Sequence, residues 1–161
     1  MLIRKSKLIE LDSIMNIYEI ARQYMINTKN DKQWGGSYPS RNIIKDDIIK
    51  GNSYVCIGQD KKIHGVFSLI EGQDPTYINI EGTWLNEDPY ATIHRLAGDG
   101  KIGGIFNKCL EFSKEKYKNI RIDTHEDNAT MRHLIIKNGF IECGIIYTSQ
   151  GDPRIAYQLL V

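Results

Sequence analysis

A chain of 161 residues, 41% hydrophobic and 25% charged, can fill one core and is too short for two full domains. Its 21 Lys and Arg against 20 Asp and Glu leave a net charge of +1, which provides no long-range field for nucleic acid or an anionic membrane. Charges scattered through the N-terminal MLIRKSKLIELDS exclude a signal-peptide core, and no apolar run is long enough to cross a bilayer, so the expectation is a cytoplasmic protein.

The first predicted element is a helix capped by Asp12, with Ile14, Ile17, Tyr18, Ala21 and Met25 at helical spacing, ending near Ile26. The stretch over 27–41 is polar and rich in Gly and Pro but holds Trp34 and Tyr38, the pattern of an ordered surface loop suited to lining a pocket. Ser40 caps a second helix through Ile43, Ile44, Ile48 and Ile49, and Gly51 ends it. The residues over 53–97 read as strands, SYVCIG, KIHGVFSLIE, YINIEGTWL and YATIHRLA, for which an antiparallel meander is the simplest arrangement. Next come a helix from Ile105 to about Tyr117, the strand NIRIDT, a helix from Ala129 to Lys137, and two closing strands, FIECGIIY and RIAYQLLV. This order predicts a single α+β domain over 1–161. Cys56, Cys109 and Cys143 are widely spaced in apolar segments and are expected to be buried thiols, with no metal site.

The segment ATIHRLAGDGKIGGIFN is the most informative, because a β-prone run enters a glycine-rich loop and then a helix opens. Glycines let backbone wrap closely around phosphate oxygens, and a helix start adds free N–H groups. A Walker loop needs Gly-Lys followed by Ser or Thr, and no such string occurs. The dinucleotide pattern Gly-x-Gly-x-x-Gly does occur at Gly98, Gly100 and Gly103, with Asp123 at about the spacing of a ribose-binding acid. It comes too late in the chain to be followed by the several βα units that fold needs.

Lys101-Ile102-Gly103-Gly104-Ile105-Phe106 resembles the phosphate loop of GNAT-type acetyltransferases, whose pattern is Arg or Gln, two residues, Gly, one residue, then Gly or Ala. Lys101 replaces the first residue and Phe106 the last. IRIDTHEDNATMRHLIIKNGFIECG is similar to a second signature of that family, through Asn128, Lys137, Gly139 and Phe140. The sharp matches span 93–144, and the order of elements agrees over nearly the whole chain. The resemblance implies a central mixed, mostly antiparallel sheet with helices on both faces. It further implies acetyl-CoA as co-substrate, its pyrophosphate on the backbone of Lys101, Ile102, Gly103, Gly104, Ile105 and Phe106. Leu96 and Ala97 would present backbone groups to the pantetheine arm, one N–H polarising the thioester, and Asn128 would touch the arm while capping its helix. The acceptor would be a primary amine of a small molecule or peptide, attacked directly in a ternary complex.

Such chemistry needs a neutral amine and a route for its proton. His94 borders the expected thioester and is a candidate base. Asp123 and His125 share one strand face and could hold a cation or relay a proton, or simply solvate the strand end. Trp34, Tyr38 and Glu81 are candidate acceptor contacts; Trp84 and Tyr90 are aromatic residues of the same kind, and Arg154 is left without a role. Many relatives carry a Tyr acid where this chain has Ile135, which leaves a CoA-binding sensor that has lost turnover as the alternative. A homodimer through exposed terminal strands is compatible with the pattern.

Overall fold

Side chains alternate across a strand, so the apolar residues of this chain give its sheet two faces, each covered by different elements. The computed structural model describes residues Met1–Val161 throughout. In chain order it contains β1 (Leu2–Lys5), α1 (Leu11–Asn27), α2 (Arg41–Ile49), β2 (Ser53–Ile57), β3 (Ile63–Glu71), β4 (Glu81–Gly82) and β5 (Ala91–Gly98). There follow α3 (Ile105–Lys116), β6 (Asn119–Thr124), α4 (Ala129–Lys137), β7 (Ile141–Tyr147) and β8 (Pro153–Leu160). All strands join one eight-stranded sheet in the order β1-β2-β3-β5-β6-β8-β7-β4. Only β5 and β6 are parallel; every other neighbouring pair is antiparallel. No helix is long and apolar enough to cross a membrane.

One face carries Phe67, Leu69, Ile93, Ile120, Ile122 and Tyr157, which pack with Phe106, Cys109 and Leu110 of α3 and Ile135 of α4. The other carries Val55, Val66 and Ala97, which pack under Ile14, Ile17 and Tyr18 of α1 and Ile44 and Ile48 of α2. Beyond those helices this second face is covered by the β3–β5 connection, where Tyr77, Trp84 and Tyr90 cluster with Ile146 and Ala156. Each large apolar side chain so buried contributes roughly 1.5–3 kcal/mol.

Caps fix where two of the helices start. Ser40 accepts from the Ile43 N–H at 3.3 Å to open α2, and Asn128 accepts from the Met131 N–H at 3.2 Å to open α4. The cap expected for α1 differs: Glu10, held by Arg4 at 2.6 Å, precedes the helix, and Asp12 lies in its first turn facing Arg41.

Two expectations fail in the strand region. The segment YINIEGTWL forms only the two-residue β4, after a 3-10 turn over Pro75–Tyr77, and β4 pairs with β7 at the far edge of the sheet. No meander therefore runs from β3 through β4 to β5; β3 and β5 pair directly. The reason is aromatic: Tyr77 and Trp84 are both buried, and the Trp84 indole donates to the Tyr77 carbonyl at 3.0 Å, which folds the segment on itself. β1 is a strand that the mixed charges of the N-terminus concealed.

Candidate functional site

The glycine loop leaves β5 and enters α3. Gly100 and Gly104 have φ of +74° and +81°, and open space lies where a side chain on Gly100, Gly103 or Gly104 would point. The first α3 amide to find a partner is that of Lys108, bonded to the Gly104 carbonyl at 3.0 Å. The N–H groups of residues 102–107 donate to no protein acceptor. Ile105 and Phe106 turn their side chains into the core, so the Phe in place of a small residue leaves the loop surface clear. A run of free amides at a helix start, with glycine clearing the approach, fits the diphosphate of CoA.

The loop is braced from below. Asp99 accepts from the Lys101 N–H at 2.9 Å and from His64 Nδ1 at 2.8 Å, and His64 Nε2 meets Asp60 at 3.0 Å. The Asp60 hydrogen bond, opposed by burial of the ring and reinforced by Asp99, raises the His64 pKa above its ordinary value. Two carboxylates can each receive a hydrogen from this ring only while it is protonated.

Beside the loop the sheet opens. β5 and β6 pair only at Ala91 with Ile120 and Thr92 with Arg121, after which they part. On its other side β5 carries a bulge, because Val66 pairs with Ala97 and Ser68 with His94, leaving Arg95 and Leu96 opposite Phe67 alone. Arg95 has φ of +53°, an uncommon conformation for a side-chain-bearing residue. It is held there from two directions. Tyr18 Oη donates to its carbonyl at 2.8 Å, while its guanidinium donates to Asp47 at 2.8 and 3.0 Å and to Tyr38 Oη at 3.1 Å. Because the Asp99 N–H donates to the His64 carbonyl, antiparallel alternation makes Val66 and Ala97 exchange both bonds. The Ala97 amide is therefore committed to β3, which corrects its expected role; Leu96, in the bulge, has no ladder partner.

A cavity of about 490 Å³ opens on the face shared with α1, walled by β5, β6, the β7–β8 turn and the loop before α2. His94 and Asp123 line it, as do Trp34 and Tyr38. His94 Nε2 meets Asp74 at 2.6 Å, and Thr76 donates to the same carboxylate through its N–H at 2.8 Å and its hydroxyl at 2.7 Å. Burial pushes the Asp74 pKa up, but the His94 and Thr76 hydrogen bonds outweigh it and hold the carboxyl at about 2. Tyr77 donates to Asp123 at 2.6 Å; burial first, then the charge of Asp123, raises its pKa well above the ordinary value. An ionised Asp74 can only accept, so His94 Nε2 donates to it and Nδ1 is turned away from that carboxylate.

Other sequence candidates lie elsewhere. His125 is buried outside the cavity: its N–H donates to Gln33 Oε1 at 2.7 Å and its Nδ1 accepts from the Asp127 N–H at 3.0 Å, so it shapes a turn. Glu81 lies exposed on β4 and accepts from Tyr147. Trp84 and Tyr90 sandwich Arg121, each 3.9 Å from its guanidinium carbon. Leu96 packs against the core, and Asn128 spends its carbonyl oxygen on the helix cap. Sequence reasoning missed Asp74 and Tyr77, although the Asp-Pro-Thr string marks a turn that would fix an Asp carboxylate. The three cysteines are buried; burial pushes the Cys56 thiol up to about 12 and raises Cys109 well above its ordinary value, so neither supplies a thiolate.

No protein-family model matches the sequence, and no curated protein is recognisably related to it. Solved structures do match. A GNAT-family acetyltransferase from Streptococcus agalactiae is 34% identical with a TM-score of 0.88, over 99% of this chain and 95% of that one. A GNAT-family acetyltransferase from Listeria monocytogenes shares the fold at 17% identity and a TM-score of 0.76, covering 99% and 94%. A ribosomal-protein-alanine N-acetyltransferase from Brucella melitensis shares it at 17% and 0.66, over the full length of both chains. The parallel β5–β6 pair within an otherwise antiparallel sheet excludes the dinucleotide fold. With the free amides, the parted strands and a relative of this identity over nearly its whole length, the chain belongs to the GNAT family of acetyltransferases.

Proposed function

We propose that the protein transfers an acetyl group from acetyl-CoA to a primary amine by direct attack within a ternary complex. The observation that carries this reading is that β5 links two half-sites: the loop with the free amides of 102–107 follows its end, and the cavity holding His94 lies along it, past the point where β6 parts from it. Residues 102–107 would bind the diphosphate, Lys101 would add a nearby positive charge, and the exposed edge of β5 would take the pantetheine arm. The co-substrate supplies an activated acyl thioester.

The chain's residues supply the rest. The Leu96 N–H, at a bulge position with no register partner on β3, would be the donor for the carbonyl oxygen as it gains charge. His94 accepts the proton of the attacking amine at Nδ1, while Asp74 fixes the tautomer and stabilises the cation that results. The new N–C bond forms as the C–S bond breaks, and the electron pair leaves on sulfur. Ile135 is fully buried, so no acid stands at that position; a thiolate is stable enough to leave unprotonated and collect its proton from water. Asp123, tied to Tyr77, and the aromatic wall of Trp34 and Tyr38 orient the amine.

Thiol release from acetyl-CoA with a panel of amines, run beside CoA-induced melting shifts, tests this. Release with at least one amine is expected. A CoA-induced shift without release from any amine would establish a binding domain instead.

A further inference from the structure

The wall of the cavity that holds His94 carries a charge that the transfer reading does not use. Arg154 begins β8, lines the cavity and is only 7% exposed. Its guanidinium donates to the carbonyls of Pro153 at 2.9 Å, Gln33 at 2.7 Å and Lys32 at 3.4 Å. Carbonyls fix its position without cancelling its charge, and it forms no ion pair. The neighbouring arginines differ: Arg95 is paired with Asp47, and Arg121 lies between the Trp84 and Tyr90 rings away from the cavity. A buried cation with no ion-pair partner is costly to keep.

The sheet register sets what this charge can meet. Asp123 pairs with Ala156, two residues along β8 from Arg154, so Asp123 and Arg154 project from the same face as diagonal neighbours. Such neighbours are about 7–8 Å apart at the backbone. His94 lies on that same face and lines the same cavity. Side chains of opposite charge that project from such positions into one cavity suit a ligand that carries an amine and an anionic group on the same small molecule.

Resting on the acetyl-transfer reading, we propose that the acceptor is a free α-amino acid. Its amine is received between Asp123 and His94 Nδ1, and its carboxylate by Arg154. The transfer is that described above: the amine nitrogen gains the acetyl carbon, sulfur takes the electron pair, and the amine proton passes to His94. Because the same guanidinium holds the carbonyls of 32 and 33, carboxylate binding also orders the loop that walls the cavity. A peptide N-terminus carries a neutral amide where the carboxylate would be, and a polyamine carries a second cation; Arg154 disfavours both.

The test compares free amino acids with their own carboxamides, with peptides and with polyamines, by thiol release and by melting in the presence of CoA. For the preferred amino acid, kcat/KM should exceed that of its carboxamide by at least about 100-fold, the discrimination expected of a buried charged partner. Arg154→Gln should bring that ratio close to one by weakening the amino acid alone, with CoA affinity retained. Should that variant not fold, the comparison of amino acid with amide on the unaltered protein still decides. Carboxamides, peptides or polyamines equal to free amino acids would overturn the proposal and leave acetyl transfer intact. Absence of release with every amine would overturn acetyl transfer itself; amino acids that then raised the melting temperature more than their amides would still support the Arg154 site, and amino acids that did not would overturn it too.

Discussion

The two ends of the cleft are made of different materials. At the proposed phosphate end the groups on offer are main-chain amides, and the side chains of Ile105 and Phe106 face into the core. At the proposed acceptor end the surface is side chains: His94 on β5, Asp123 on β6, Arg154 on β8, and Trp34 and Tyr38 from the loop before α2. The difference means that departures from the family pattern at Lys101 and Phe106 leave the free amides of 102–107 in place. A backbone site survives side-chain replacement as long as its glycines keep their conformations. A side-chain site changes its ligand with each substitution.

The largest expected effect breaks the acceptor end alone. His94→Gln should lower kcat by about 10²–10⁴-fold, the usual contribution of a positioned base, with CoA affinity unchanged; calorimetric titration beside steady-state rates separates the two. Equal loss of CoA binding would show that the ends are not independent. A variant beneath the bulge comes next. Asp47 is buried and neutralises Arg95 while accepting from Ser68 at 2.6 Å. Asp47→Ala strands that guanidinium and should cost about 3–5 kcal/mol in urea unfolding, whereas the exposed pair of Asp46 with Lys50 should be worth less than about 1 kcal/mol.

Gly104→Asp attacks the phosphate end. It sets an anion against the free amides and should weaken CoA by roughly 100-fold, about the loss of one or two charge-assisted hydrogen bonds. Gly104→Ala carries the same positive φ without the charge and should lose less, so the ratio of the two measures electrostatics apart from strain. The smallest effect is a pH dependence. The folded-state pKa of His64 is raised, so its contribution to stability is complete below the unfolded value of about 6.5 and disappears as pH rises through the folded value. Melting temperature and CoA affinity should both decline across that window, and His64→Gln should flatten the decline. Curves that stay parallel in variant and parent would detach His64 from the loop. Asp74 has the opposite sign: its support is present above about 4 and is lost towards about 2.

The same contrast decides what was legible in the sequence. Glycine spacing, a helix start and the Asn128 cap are local patterns, and α2, α4 and the phosphate loop emerge from them with nearly the expected bounds. The acceptor end is assembled by long-range pairing. His94 and Asp123 could be guessed from strand periodicity, but Asp74 reaches His94 only because aromatic burial bends the β3–β5 connection back over the sheet. His125 looked equivalent to Asp123 by alternation, yet the strand ends at Thr124, and the backbone turns before that side chain can face the cavity. Glu81 was misplaced for a related reason, since β4 crosses to the opposite edge of the sheet. Arg154 was visible as a residue but not as a charge without a partner, because that depends on what surrounds it.

Amide hydrogen exchange over 102–107, with and without CoA, is the most direct measurement. These N–H groups have no acceptor in the protein, so they should exchange rapidly in the free state and slow markedly when CoA is added, while β6 and β8 stay unchanged. Amides already protected without ligand, or protection by CoA that falls elsewhere and spares this turn, would contradict the account.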